Sequence, residues 1–106
     1  MKNFRTYQMA VELYRLTSQL TLPRHLRDQL SRASSSVVLN LAEGKGRATA
    51  ADQRRFYEIA FGSLRECQAI LDLCSTRELA AEQLADKVAA HLYKLIQNVQ
   101  GPASRS

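Results

Sequence analysis

Residues Ser31–Arg47, SRASSSVVLNLAEGKGR, decide the fold. Ala33, Val37 and Leu41 recur at helical spacing and continue a stripe begun by Leu26 and Leu30, with Val38 and Ala42 widening it. Into this helix the chain sets Ser34, Ser35 and Ser36. Small polar residues lower helix propensity, so close approach of another helix is the natural reason for them. The echo is Gly62-Ser63-Leu64-Arg65-Glu66, which puts Gly and Ser in the middle of a second helical pattern. The stretch ends in Gly44-Lys45-Gly46-Arg47. Both glycines read as left-handed C-terminal caps, with Lys45 and Arg47 where a cation suits the negative end of a helix.

One face of the stretch is polar. Ser36, Asn40, Glu43 and Arg47 follow one another at spacings of four, three and four, beside the apolar stripe. Unpaired polar groups next to a core are expensive, so these residues must find partners. The expected structure is a network that keeps two helices in register, formed by Ser36, Asn40 and Glu43 with Ser63, Arg65 and Glu66. Arg47, Arg54 and Arg65 are all available to Glu43. A catalytic carboxylate needs a second acid, base or nucleophile, and the spacing supplies none.

Outward from this stretch the chain reads as four helices in a single domain of 106 residues, with no strand pattern. The first is expected over about 3–20, with Phe4, Tyr7, Val11 and Tyr14 as its stripe; Thr21-Leu22-Pro23 ends it. The second covers about 24–43 and the third about 50–74. Thr49 and Asp52 form a capping box at the start of the third. Its apolar positions make two stripes: Phe56, Ala60, Ser63, Cys67, Ile70 and Cys74, then Tyr57, Phe61, Leu64, Gln68 and Leu71. That is wider than one bundle face needs, so Tyr57, Phe61, Leu64 and Leu71 are expected at a subunit interface. The fourth helix covers about 76–99, opened by a Ser75–Glu78 capping box and striped by Leu84, Val88, Leu92, Leu95 and Val99. Gly101-Pro102 is expected to stop it and residues 101–106 to form a frayed tail. Short connections make this an all-α, antiparallel up-and-down four-helix bundle.

Composition narrows the function. No apolar run reaches the roughly 18 residues that span a bilayer, and the N-terminus lacks a signal-peptide core, so a cytoplasmic protein without a membrane role is expected. Cys67 and Cys74 lie seven apart on one helix, too far to bridge each other, and read as buried thiols. His25 and His91 lack a ligand partner at helical spacing, so no metal is expected. The Gly-Lys-Gly-Arg turn lacks P-loop spacing and follows a helix, so neither a cofactor nor a small-molecule substrate is indicated. Net charge is +5 and the pI about 9.6. The excess lies in the first half, where Arg24, Arg27, Arg32, Lys45 and Arg47 face only Asp28 and Glu43. With Arg54 and Arg55 these are the candidate nucleic-acid contacts, for guanidinium suits bidentate phosphate binding.

Several motifs together resemble a bacterial four-helix-bundle family. They are Tyr7-Gln8-Met9-Ala10, Pro23, Gln29-Leu30-Ser31-Arg32-Ala33, Ser36, Asn40-Leu41-Ala42-Glu43-Gly44, Gly46-Arg47, Phe56, Gly62-Ser63-Leu64 and Glu66. The family includes proteins encoded within intervening sequences of large-subunit (23S) rRNA genes, and a related branch comprises the accessory variability determinants of diversity-generating retroelements. The resemblance implies a homopentameric barrel with no catalytic activity. In the retroelement branch it implies a basic accessory that binds nucleic acid and the reverse transcriptase. The chain departs from the family where Arg24-His25 replaces an acidic residue after the proline, and where Tyr7 and Cys67 stand for Trp and Leu. The expected function is a non-enzymatic, oligomeric RNA- or DNA-binding scaffold. The alternative is a protein-interaction adaptor with no nucleic-acid role.

Overall fold

The computed structural model describes residues 4–74 and 78–105, with side chains as far as Val99. It contains α1 (Arg5–Thr17), α2 (Arg24–Lys45), α3 (Ala50–Leu73) and α4 (Leu79–Arg105), with no strand among the described residues. Each helix packs on its neighbours in the ring α1-α2-α3-α4-α1, giving a four-helix bundle 49 × 23 × 19 Å. The core takes Leu30, Val37 and Leu41 from α2, Tyr57, Leu64 and Cys67 from α3, and Val88 and Leu92 from α4, with Leu13 from α1.

α1 is shorter than its sequence pattern and rotated from the expected stripe. Thr6, Met9, Ala10, Leu13 and Thr17 are buried, whereas Tyr14 is exposed and Tyr7 and Val11 are half-buried. Threonine can line this core because its hydroxyl bonds within the helix: Thr17 donates to the Leu13 carbonyl at 2.9 Å. Past Thr17 the chain tightens into turns, with Gln19 and Leu20 amides reaching back three residues.

α2 extends to Lys45, so Gly44 is not a cap. It lies inside the helix, and Gly46, the residue after it, has φ −87°; no described glycine takes a positive φ. Gly44 is needed for contact instead. A Cβ there would lie 2.7 Å from Tyr57 Cε1 and 3.1 Å from Phe56 Cβ, so α2 meets α3 through a hydrogen. Gly62 does the opposite of what was expected: nothing lies within 4 Å of the Cβ it lacks. The Ser run behaves as packing. Ser34 is fully buried and returns its hydroxyl to the Leu30 carbonyl at 2.8 Å.

The start of α3 is as expected, with Thr49 Oγ1 accepting the Asp52 amide at 3.1 Å. The breadth of its apolar surface has a simpler cause than a subunit interface. α3 packs on both α2 and α4, and the two stripes serve the two neighbours. Tyr57, Leu64 and Leu71 are therefore core residues of one protomer, with almost no surface left for a second; Phe61 alone of that set is half-buried.

At the other end, α4 runs through Gly101-Pro102 to Arg105, where a stop and a frayed tail were expected. A glycine ends a helix by turning left-handed, and Gly101 does not. Ser75, and with it the expected capping box of α4, lies outside the described residues, as does Ser106.

Candidate nucleic-acid interface

Two polar systems tie α2 to α3. In the middle, Ser36 and Ser63 hydroxyls meet at 2.7 Å, and the Asn40 amide donates to the Ser36 carbonyl at 2.9 Å and to its hydroxyl at 3.1 Å. Near the turn, the Gln53 side chain donates to the Gly44 carbonyl at 3.0 Å. Only part of the expected network therefore forms. Glu43 is exposed and pairs with Arg47 at 2.6 Å. Glu66 reaches Arg32 at 4.0 Å on the surface. Arg65 donates to Gln68, which in turn donates to Asp86 of α4, so it belongs to the other side of α3. These three side chains are long enough to reach solvent, and hydrated charge is cheaper than charge at a core edge.

The candidate cations separate into groups. Arg24 and Arg27 stand at the start of α2 and share one carboxylate, Asp28, at 4.0 and 3.8 Å. Arg32 is one to two turns further along. Lys45, Arg47, Arg54 and Arg55 gather at the opposite end, around the α2–α3 turn, about 30 Å away at 1.5 Å per helical residue.

That turn has an organisation the sequence did not reveal. The Arg47 and Arg55 guanidinium groups both lie over the Phe56 ring, their Cζ atoms 4.5 and 4.7 Å from its centre. Lys45 Nζ lies 5.1 Å from the centre of Phe4, whose ring stacks on Tyr7 and leans against Tyr57. Phe4 lies in the core, as its place in the stripe predicts, and Phe56 is half-buried; each adds to its packing a cation–π contact, worth about 0.5–1 kcal/mol where the cation is exposed. The available signal was basic residues adjoining Phe56 in sequence and facing it across a four-residue turn.

Stacking fixes guanidinium planes while leaving their N–H edges open. Arg54 is paired with Glu58 at 3.3 Å and Arg47 with Glu43, while Arg55 and Lys45 have no carboxylate partner among the described residues. The turn thus presents oriented donors suited to phosphate, and aromatic edges beside them. Among the described residues no group of three His, Cys, Asp or Glu side chains converges as metal ligands would. No helix of the described chain is long and apolar enough to cross a membrane.

Cys67 and Cys74 are free thiols. Burial, reinforced by the nearby Glu66 charge, pushes the Cys67 thiol up to about 12. Burial also raises Cys74, with Glu78 and Glu82 adding to the effect.

A four-helix bundle held together by a small-residue seam, with arginine–aromatic stacks at one turn, defines a class of small helical proteins. Within that class the chain belongs to the 23S rRNA-intervening sequence protein family, whose model matches residues 3–101. No curated protein matches the sequence.

Proposed function

We propose that this protein is a non-enzymatic nucleic-acid-binding scaffold that works as a homo-oligomer. The observation that carries the reading is the stacking of Arg47 and Arg55 on Phe56 beside Lys45, at the turn between α2 and α3. Arginines held by a ring lose less freedom when they bind phosphate than free ones do. Family membership and the net charge of +5 agree with a polyanionic partner. A structured RNA is the first candidate, and a retroelement reverse transcriptase bound to its nucleic acid is the second.

A homo-oligomer is supported by a different observation. Contacts between Ser36 and Ser63, and between Gly44 and Phe56, set the α2–α3 register. That register puts Leu39, 66% exposed, level with Ile59, 42% exposed. Two large apolar side chains side by side on an outer surface suit a subunit contact. The same pair favours the second reading, a protein-interaction adaptor whose basic surface is merely solvated.

Binding of single-stranded RNA measured across a salt series separates the two readings. The nucleic-acid reading expects affinity to fall steeply and linearly on a log–log plot. It also expects Arg47→Gln with Arg55→Gln to weaken binding while helicity is kept. A flat salt response, or capture of a protein partner by nuclease-treated material without RNA binding, replaces it with the adaptor.

A further inference from the structure

The chain has three Phe, four Tyr and no Trp, all among the described residues, and none presents an open ring at the α2–α3 turn. Phe56 is half-buried and carries the Arg47 and Arg55 guanidinium groups. Phe4 and Tyr57 are buried, and Lys45 lies over the Phe4 ring. Tyr7 is half-buried and stacks on Phe4, and Phe61 packs against the core. The two exposed tyrosines stand elsewhere. Tyr14 is about 15 Å along α1 from Phe4, and Tyr93 belongs to α4, which packs on α1 and α3 but not on α2. Proteins that hold single strands by their bases stack them on open rings, each stack contributing about fivefold or more in affinity. This turn has no such ring to give.

The groups that read base edges and sugars are engaged as well. Carboxamides suit base edges, and the one at the turn, Gln53, donates to the Gly44 carbonyl at 3.0 Å. Asn40, further back on α2, is bonded to Ser36. A 2′-hydroxyl is recognised through an acceptor for its proton. Here Glu43 is paired with Arg47, Glu58 with Arg54, and the Gly44 carbonyl with Gln53. Between Arg47 and Asp52 the chain offers only Ala48, Thr49, Ala50 and Ala51, and Thr49 caps α3. What faces outward is cationic N–H, which suits phosphate oxygen.

We infer that the turn recognises the phosphate backbone alone, so that its ligand class is an extended phosphodiester chain, with or without bases. This rests on the nucleic-acid reading above and narrows it. Contacts to phosphate carry no sequence information, so discrimination at this site comes only from the shape in which a strand presents its phosphates.

The test titrates the full chain, across one salt series, with three single strands of equal length: an RNA, a DNA, and a DNA whose every base is replaced by hydrogen. The expected affinities agree within about twofold, with equal salt slopes, because phosphate is the common element. Arg47→Gln with Arg55→Gln, both exposed positions, weakens all three by one common factor. Phe56→Leu, which keeps an apolar side chain and removes the ring, does the same. A deficit of about fivefold or more for the abasic strand against DNA, or for DNA against RNA, that shrinks in the paired variant overturns the inference and leaves the nucleic-acid reading intact. A deficit that persists there in full arises away from the turn, which remains blind to bases. If no strand binds, or if the paired variant binds all three as the parent does, the nucleic-acid reading of the turn fails and this inference with it.

Discussion

Gly44 and Gly62 call for opposite outcomes from the same substitution. At Gly44 a methyl would enter 2.7 Å from Tyr57 Cε1, and the Tyr57 ring is buried, so it cannot swing away. Gly44→Ala is expected to destabilise by about 1–3 kcal/mol, as overpacking does. Gly62 lies mid-helix in α3 with open space around it, so Gly62→Ala should stabilise by about 0.5–1 kcal/mol. Urea midpoints of the two variants beside the parent decide this; a neutral Gly44→Ala contradicts the tight seam. Cys67 supplies the second residue-level prediction. Its folded thiol ionises near 12, whereas the exposed thiol of the unfolded chain ionises near the ordinary 9. Below the lower value both states hold the proton and the stabilisation is complete. Between the two only the folded state holds it, so stability falls as pH rises, by up to about 1.4 kcal/mol per unit. Comparing the parent with Cys67→Ala at about pH 7.5 and about pH 10.5 isolates that loss, since other groups titrate in both. An equal loss in the two proteins would remove Cys67 as its source.

At the level of helices, the middle of the α2–α3 seam is bridged by one hydroxyl pair. Ser63→Ala leaves the Ser36 hydroxyl with Asn40 but without its partner across the seam, and should cost about 1 kcal/mol. Urea denaturation measures it, and a stabilised variant would show that the pair contributes nothing to register. This seam was legible in the sequence because Ser36, Asn40 and Ser63 are polar residues at core spacing, which must be paired somewhere. α2 and α3 were legible for the same reason: regular stripes and, at Thr49, a cap whose bond forms as read. The phase of α1 was not, since Tyr7 and Tyr14 stay at the rim while Thr6 and Thr17 enter the core, Thr17 with its hydroxyl bonded back into the helix. Gly44 was misread because a glycine after an apolar stripe looks alike whether it ends a helix or admits a neighbour; only the facing Tyr57 distinguishes them. The breadth of α3 was misassigned to a second subunit because one-dimensional periodicity records how much surface is buried and not which helix buries it. The Phe56 stack was illegible because it depends on where a turn brings Arg47 back against Arg55.

Across the whole molecule, the candidate cations act as two separate sets at the ends of α2, about 30 Å apart. The two sets are not equivalent. Arg24 and Arg27 share the Asp28 carboxylate, so part of their charge is already compensated. Arg47 is likewise paired with Glu43, so the difference lies in the ring: Arg55 has no carboxylate partner among the described residues, and both guanidinium groups are held on Phe56. Each phosphate contact to a single strand contributes about 0.7 to the slope of log affinity against log salt. Arg47→Gln with Arg55→Gln is therefore expected to lower that slope by about 1.4, and Arg24→Gln with Arg27→Gln by less. Sites this far apart without shared partners combine additively within about 0.5 kcal/mol, so the four-residue variant should lose the sum of the two pairs. A ring of subunits in one orientation gathers like ends together and keeps this additivity, while a head-to-tail assembly brings the two ends into contact. Binding measured across the salt series for all four proteins, with sedimentation to fix the subunit number, tests both at once. Equal slopes for the two pairs would deny the turn its special role, and coupling of more than about 1 kcal/mol between the ends would mean that neighbouring subunits join them.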